Sequence, residues 1–129
     1  MRKFWTLFTV ALLIFSASAQ ANESKEGGSS PYAKLDIFTV NLQGLTHYLQ
    51  VGIALKVSKS EVGEEVKVWN PVIRHELILL LSSQNSEELA TIEGKKKIMA
   101  TIKTAVNKIL KLEDKEGVTD VLFESFVIQ

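Results

Sequence analysis

The sequence predicts an α+β fold, in which a small antiparallel sheet is covered by two or three helices. Two observations predict it. Apolar residues alternate with polar ones near residues 34–42 and 47–58 and recur in a final run at 118–128, while the residues between carry apolar side chains at helical spacing. With 46% hydrophobic residues in a chain of 129, this order suits one domain whose helices pack on one face of the sheet.

The first two strands are predicted to form a hairpin. Residues 34–42 place Phe38, Val40 and Leu42 on one side, and a turn containing Gly44 follows. The second strand has one apolar face, made of Leu49, Val51, Ile53, Leu55 and Val57. A hairpin with one apolar face needs helices to cover that face.

The central helix is predicted to begin at Pro71 and to end near Ser83. Pro71 suits a first helical position because it has no N–H to leave unpaired, and Asn70 can accept from the exposed amides of the first turn. At about 100° per residue, one stripe of this helix faces the core. The stripe consists of Ile73, Leu77, Leu80 and Leu81.

A second apolar group lies on the other side of the same helix. It consists of Val72, Ile78 and Leu79, which lie beside His75. These residues need an apolar neighbour of their own, either between the sheet and the last helix or on another subunit. The four residues form the candidate self-association face, and we predict that Leu79→Asp weakens self-association while the fold stays largely intact.

Three further helical segments are predicted from their caps. Ser60 caps a short helix that ends near Trp69, Ser86 caps a turn whose Leu89 packs, and Thr91 caps the last helix, residues 92–112. The apolar stripe of the last helix is Ile98, Ile102, Ala105, Ile109 and Leu112, with Gly94 at a point of close approach.

The final run, residues 118–128, is predicted to be a central strand of the sheet. Gly117 separates it from the last helix. Both of its faces are apolar in the latter part, as expected for a strand that is covered on both sides.

The first 30 residues read as a targeting segment and a linker. Arg2 and Lys3 precede an apolar run, and small residues follow as far as Ala21, so residues 1–21 are predicted to be a signal peptide cut between Ala21 and Asn22. The alternative is an uncleaved inner-membrane anchor, although the run is shorter than the roughly 20 apolar residues that span a bilayer. Residues 22–30 are polar and form a flexible leader, which leaves 31–129 as the domain.

Composition and motifs argue against several function classes. The 15 basic and 15 acidic residues cancel, so no nucleic-acid partner is expected, and the absence of cysteine excludes disulfides and thiolate metal sites. His47 and His75 lack metal-ligand spacing, and no nucleophile elbow or phosphate loop occurs. We therefore expect no enzyme activity, no cofactor and no metal. The lysines at 95–97 fit a solvated helix face, and anionic lipid is the alternative.

Three separated blocks give the chain a resemblance to a known family. They are ILLLSSQNSEELAT at residues 78–91, FTVNLQG at 38–44 followed closely by YLQV, and the ending FVIQ. In this order they resemble segments of the flagellar basal-body-associated FliL family. The resemblance covers about residues 31–129 and fails before them, where members of the family usually keep a transmembrane helix and a short basic tail.

The resemblance implies both a fold and a function. The periplasmic domain of the family is similar to the stomatin-type domain of membrane scaffold proteins, and its members form rings around the stator units of the flagellar motor. We therefore expect a periplasmic, homo-oligomeric and non-catalytic accessory of the motor, which contacts stator or basal-body proteins and supports stator function, motility and chemotaxis. Contact with the inner membrane would come through partners or an uncleaved anchor. The alternative is a periplasmic scaffold or binding protein of the same fold outside the motor.

Overall fold

The computed structural model describes residues 30–129. The predicted signal peptide, its cleavage position between Ala21 and Asn22, and all of the leader except Ser30 lie outside the described residues. The described part is an α+β domain, as predicted. In chain order its elements are β1 (Tyr32–Lys34), β2 (Phe38–Asn41), β3 (Tyr48–Val57), α1 (Ser60–Val68), α2 (Asn70–Ser82), α3 (Ser86–Ala90), α4 (Ile92–Leu110) and β4 (Val118–Ile128).

Strand β3 lies at the centre of the sheet. Strand β4 pairs with it along one edge, while β2 and β1 pair with the first and second halves of its other edge, all antiparallel. The five apolar residues predicted for one face of β3 are all buried. Helix residues Ile73, Leu77, Ile102 and Val106 belong to the same core cluster, so the helices cover that face of the sheet.

The first predicted strand, residues 34–42, is interrupted by a bulge. Lys34 faces Ala54 and Phe38 faces Val51, so four steps on this edge match three on β3 and one residue is extra. Successive side chains of a strand point to opposite faces, so Leu35 and Phe38, three positions apart, would lie on opposite faces of a regular strand. The extra residue brings both onto the same face. Because of it, Leu35 and Phe38 are both buried.

The prediction that residues 118–128 form a central strand is wrong. Among the described residues, β4 pairs only with β3 and is therefore an edge strand. Leu122 and Val127 lie opposite Ala54 and Gln50, on the face away from the helices, and remain 37% and 42% exposed. The second apolar face of β4 is therefore formed by half-exposed residues on the side of the sheet that the helices do not cover.

Three of the four predicted helix caps lie one residue after the observed cap position, and at α1 and α2 the observed cap residue makes no side-chain cap bond. Asn70 lies inside α2, whose preceding residue Trp69 makes no side-chain cap bond, and Ser60 is the first residue of α1. Helix α3 is capped by Asn85, whose side chain accepts from the amides of Glu87 and Glu88. Ser86 had the right residue type, but Asn85 before it has the extended backbone that a cap requires.

The Thr91 cap and the close approach of Gly94 are confirmed in α4. The Gly94 N–H donates to Thr91 Oγ1 at 2.9 Å. A Cβ on Gly94 would lie 1.9 Å from the carbonyl oxygen of Glu88, so only glycine fits between α3 and α4. The buried stripe of α4 includes Val106, whereas the predicted Ala105 is only half-buried.

Candidate self-association face

Helix α2 is fixed to the domain along one side. Ile73, Leu77 and Leu81 are fully buried. On its flank, the Arg74 guanidinium lies 4.2 Å from the centroid of the Phe38 ring and donates to the Asp36 carbonyl at 3.1 Å. The core contacts and this clamp hold the helix in one orientation, so its opposite side is presented outward.

The four residues of the candidate face lie on that outward side. Val72, Ile78 and Leu79 are 44%, 40% and 55% exposed, and His75 is exposed between them. Neighbours within residues 30–129 cover these side chains only in part, so the alternative that they are packed away between the sheet and the last helix does not hold for this part of the chain. The apolar face that the sequence predicted therefore exists on the surface.

The apolar surface extends beyond the predicted residues at both ends of the helix. Before α2, Val68 is 71% exposed and Trp69 is 41% exposed, with its indole N–H donating to Glu65 Oε2 at 3.2 Å. At the other end, Leu45 is 77% exposed and shares a groove with Ile78. Sequence reasoning missed Val68 and Leu45. The sequence held one signal for Leu45, because it is a lone leucine within the predicted turn that contains Gly44.

The polar residues after the leucine run close the end of α2. Ser82 Oγ donates to the Ile78 carbonyl, and both Ser83 Oγ and Gln84 Nε2 donate to the Leu80 carbonyl, at 2.6, 2.8 and 3.0 Å. The last four carbonyls of a helix have no intrahelical partner, and Ser83 and Gln84 satisfy that of Leu80, while the Ser82 hydroxyl bonds back to the preceding turn of the helix. The segment LLLSSQNSEEL is thus a helix end followed at once by the cap of α3.

Several charged groups of the described residues make surface contacts. Lys95 Nζ donates to the Ala90 carbonyl at 2.9 Å and lies 4.9 Å from the centroid of the Phe126 ring, and Lys97 pairs with Glu88 at 3.3 Å. Within residues 30–129, no group of three histidines or carboxylates lies close enough to bind a metal ion. His47, in the turn before β3, and His75, in α2, are both exposed.

The described residues thus define a small α+β domain with an apolar helix face on its surface. No helix in residues 30–129 combines the length and the apolar character that crossing a bilayer requires. A surface of this kind suits contact between proteins.

Comparison with known proteins gives the family. The family described as "Flagellar basal body-associated protein FliL" matches residues 32–129. The Flagellar protein FliL of Escherichia coli (strain K12) is 37% identical over 102 residues, which are 78% of this chain and 66% of that protein. The Flagellar protein FliL of Aquifex aeolicus (strain VF5) is 37% identical over 94 residues, 71% of this chain and 56% of that protein. The chain belongs to the FliL family of flagellar basal body-associated proteins, and it spans less than two thirds of the length of each of these relatives.

Proposed function

We propose that this protein is a non-catalytic accessory of the bacterial flagellar motor. In this proposal it works in the periplasm, assembles with copies of itself near the stator and basal body, and supports stator function, motility and chemotaxis. The observation that carries the proposal is the family match over residues 32–129, which covers every element of the domain.

The exposed helix face supports the part of the proposal that concerns self-association. Three large apolar side chains on one face, each at least 40% exposed, lose contact with water when they pack against a similar surface. The face is held by a buried stripe and by the Arg74 contact, so it needs no rearrangement before it binds. Homo-oligomers, including the ring that the resemblance implies, are built from such repeated contacts.

Motility of a deletion strain tests the proposal. We expect a clean deletion to spread less in soft agar although its flagella are still assembled, and the wild-type gene to restore spreading. The Leu79→Asp gene should fail to restore it. Ile92→Asp is the matched control, because Ile92 is 67% exposed on α4 and the charge change is the same; it should restore spreading. Normal motility of the deletion strain at both low and high viscous load would contradict the motor role.

Two localisation experiments test where the protein acts. A fluorescent fusion should co-localise with flagellar motors, and a diffuse periplasmic signal would favour the scaffold alternative. N-terminal sequencing of the exported protein should begin at Asn22 if the predicted signal peptide is removed. A chain that still begins at Met1 would contradict cleavage and leave the anchor alternative.

A further inference from the structure

Strand β4 has one edge without a partner strand. Among residues 30–129, β4 pairs only with β3. At the end of this pair, Tyr48 and Gln129 exchange N–H and carbonyl hydrogen bonds, at 2.8 and 2.9 Å. Along an antiparallel pair, residues bonded in this way alternate with residues whose backbone groups point away from the partner. The backbone groups of Ile128 and Phe126 therefore point outward, where no strand of the described part bonds them.

The outward edge continues beyond the bulge in β4 and ends at Val121. The Leu35 N–H donates to the Ile53 carbonyl at 3.0 Å, so the backbone groups of Ile53 point away from β4. Phe123 lies opposite Ile53, and its backbone groups therefore point outward as well. The Val121 N–H donates to Oδ1 of Asp120 at 2.8 Å, so a side chain already occupies this donor.

A groove between α4 and β4 lies where the free edge, residues 123–128, begins. Its volume is about 200 Å³. Phe123 and Phe126 continue the helix side of β4 from there, half-buried against the core, with ring centroids 5.0 Å apart. Helix α4 follows the edge, because it places Lys103 in the groove and Lys95 Nζ 4.9 Å from the centroid of the Phe126 ring. The groove is lined by Lys96, Met99, Ala100, Lys103, Asp120 and Val121.

The charges along the groove favour an acidic partner. Lys96 is exposed, and it makes no ion pair within residues 30–129. The Asp120 carboxylate is bonded to the backbone of its own strand. Glu124, the extra residue of the bulge, pairs with Lys34 at 2.9 Å across the sheet. A carboxylate brought into the groove by a partner therefore finds Lys96 available.

We propose that this groove binds an extended, acidic segment of another protein. The segment adds to the free edge of β4 as a further strand and places a carboxylate beside Lys96. The edge supplies N–H and carbonyl groups that an extended backbone can bond, and the rings of Phe123 and Phe126 favour apolar side chains at alternate positions. The inference concerns contact with a different protein and is independent of self-association through α2.

A second copy of the chain fits this edge less well. Two β4 edges that pair about a two-fold axis bring the same α4 lysines of both copies together. Lys103 has Asp114 as a partner at 3.4 Å, but Lys96 would meet like charge without a carboxylate of its own. Like charges that meet in an interface disfavour the contact, so a segment of opposite charge is the better occupant.

Hydrogen exchange with a synthetic probe peptide tests strand addition. In the probe, threonine alternates with glutamate, valine, valine and glutamate in turn, so that one face is both acidic and apolar. We expect a saturating amount to slow exchange of the Phe123 and Phe126 amides of the full chain at least tenfold, measured by NMR. The Val127 amide, which points toward β3, should change less than twofold. Unchanged exchange at Phe123 and Phe126 would overturn the proposal.

Two matched probes separate the backbone contact from the charge contact. N-methylation of both valines removes donors that would bond the edge, and replacement of both glutamates by lysine reverses the charge. Each change should weaken binding at least tenfold, measured by fluorescence anisotropy of labelled probes. A methylated probe that binds as tightly as the first would rule out strand addition, and a lysine probe that does so would rule out an acidic partner.

Variants of the protein test the same contact from the other side. Lys96→Glu should weaken binding of the first probe at least threefold, whereas Lys108→Glu, an exposed lysine of α4 that lines a different groove, should bind like the wild type. Asp120→Ala should bind more tightly, because it frees the Val121 N–H for the probe and removes a negative charge. Equal binding by all of these proteins would contradict the proposal.

Exchange without the probe tests the other occupants of the edge. The Phe123 and Phe126 amides should exchange rapidly in the wild-type chain alone, at every protein concentration. Protection that rises with concentration would assign the edge to a second copy. Protection at every concentration would assign it to another part of the same chain, and either result would overturn the proposal.

Discussion

The side-chain amide of Asn107 binds both backbone polar groups of Val118. The Val118 N–H donates to Asn107 Oδ1 at 2.7 Å, and Asn107 Nδ2 donates to the Val118 carbonyl at 2.9 Å. Asn107 is only 3% exposed, and the two residues are eleven positions apart. This pair joins the end of α4 to the start of β4, where the chain turns back onto the sheet.

Replacing Asn107 should destabilise the domain without affecting the candidate face. Asn107→Ala leaves the N–H and the carbonyl of Val118 unpaired inside the protein, and each such group costs about 1–3 kcal/mol. We expect the free energy of unfolding to fall by about 3 kcal/mol, measured by urea denaturation. Asn70→Ala is the control, because Asn70 makes no side-chain cap bond in α2; it should change stability by less than about 0.5 kcal/mol. Equal effects of the two changes would contradict this role.

Two glycine-to-alanine changes should have opposite signs. In Gly94→Ala the new methyl group would lie 1.9 Å from the Glu88 carbonyl oxygen, so the α3–α4 contact must open, at a cost of about 3 kcal/mol. In Gly63→Ala, within α1, the methyl group meets only Val57 Cγ2 at 3.9 Å. Alanine is favoured over glycine in a helix by about 1 kcal/mol, so this variant should be more stable. Thermal unfolding checks both, and a tolerated Gly94→Ala would contradict the close approach.

Self-association through the α2 face should change the fluorescence of Trp69. This indole is 41% exposed and directly precedes α2, so a partner that covers the face removes water from it. In a Trp5→Phe background, the emission maximum should move to shorter wavelength as protein concentration rises. The same titration of Leu79→Asp should show no shift. A maximum that is independent of concentration in both proteins would contradict a contact that reaches Trp69.

Local patterns were sufficient to predict most of the fold. The alternation in β3 gave its buried face correctly, and Thr91 caps α4 as predicted, because both depend on residues close in sequence. The bulge after β1 was missed because nothing in residues 35–37 signals an extra residue. The bond between Asn107 and Val118 was missed because its partner lies beyond a turn.

Only part of the apolar surface around α2 could be predicted from residues close in sequence. Helical periodicity divides α2 into two apolar sides, so Val72, Ile78 and Leu79 follow from spacing alone. Leu45 does not follow from spacing, because its exposure comes from a left-handed backbone in a turn that is tied to distant Gln84 by a hydrogen bond. A surface that is built from separate elements cannot be predicted without the tertiary structure.

Sedimentation velocity of the full-length wild-type and Leu79→Asp proteins tests whether the outward face of α2 joins copies of the chain. Leu79 is 55% exposed, so a carboxylate there stays hydrated in the monomer but is buried without a partner charge in the oligomer. We expect the wild type to sediment as an oligomer and Leu79→Asp to sediment as a monomer, with an unchanged circular dichroism spectrum and melting curve. An unfolded variant, or an oligomer that is unchanged by Leu79→Asp, would contradict self-association through this face.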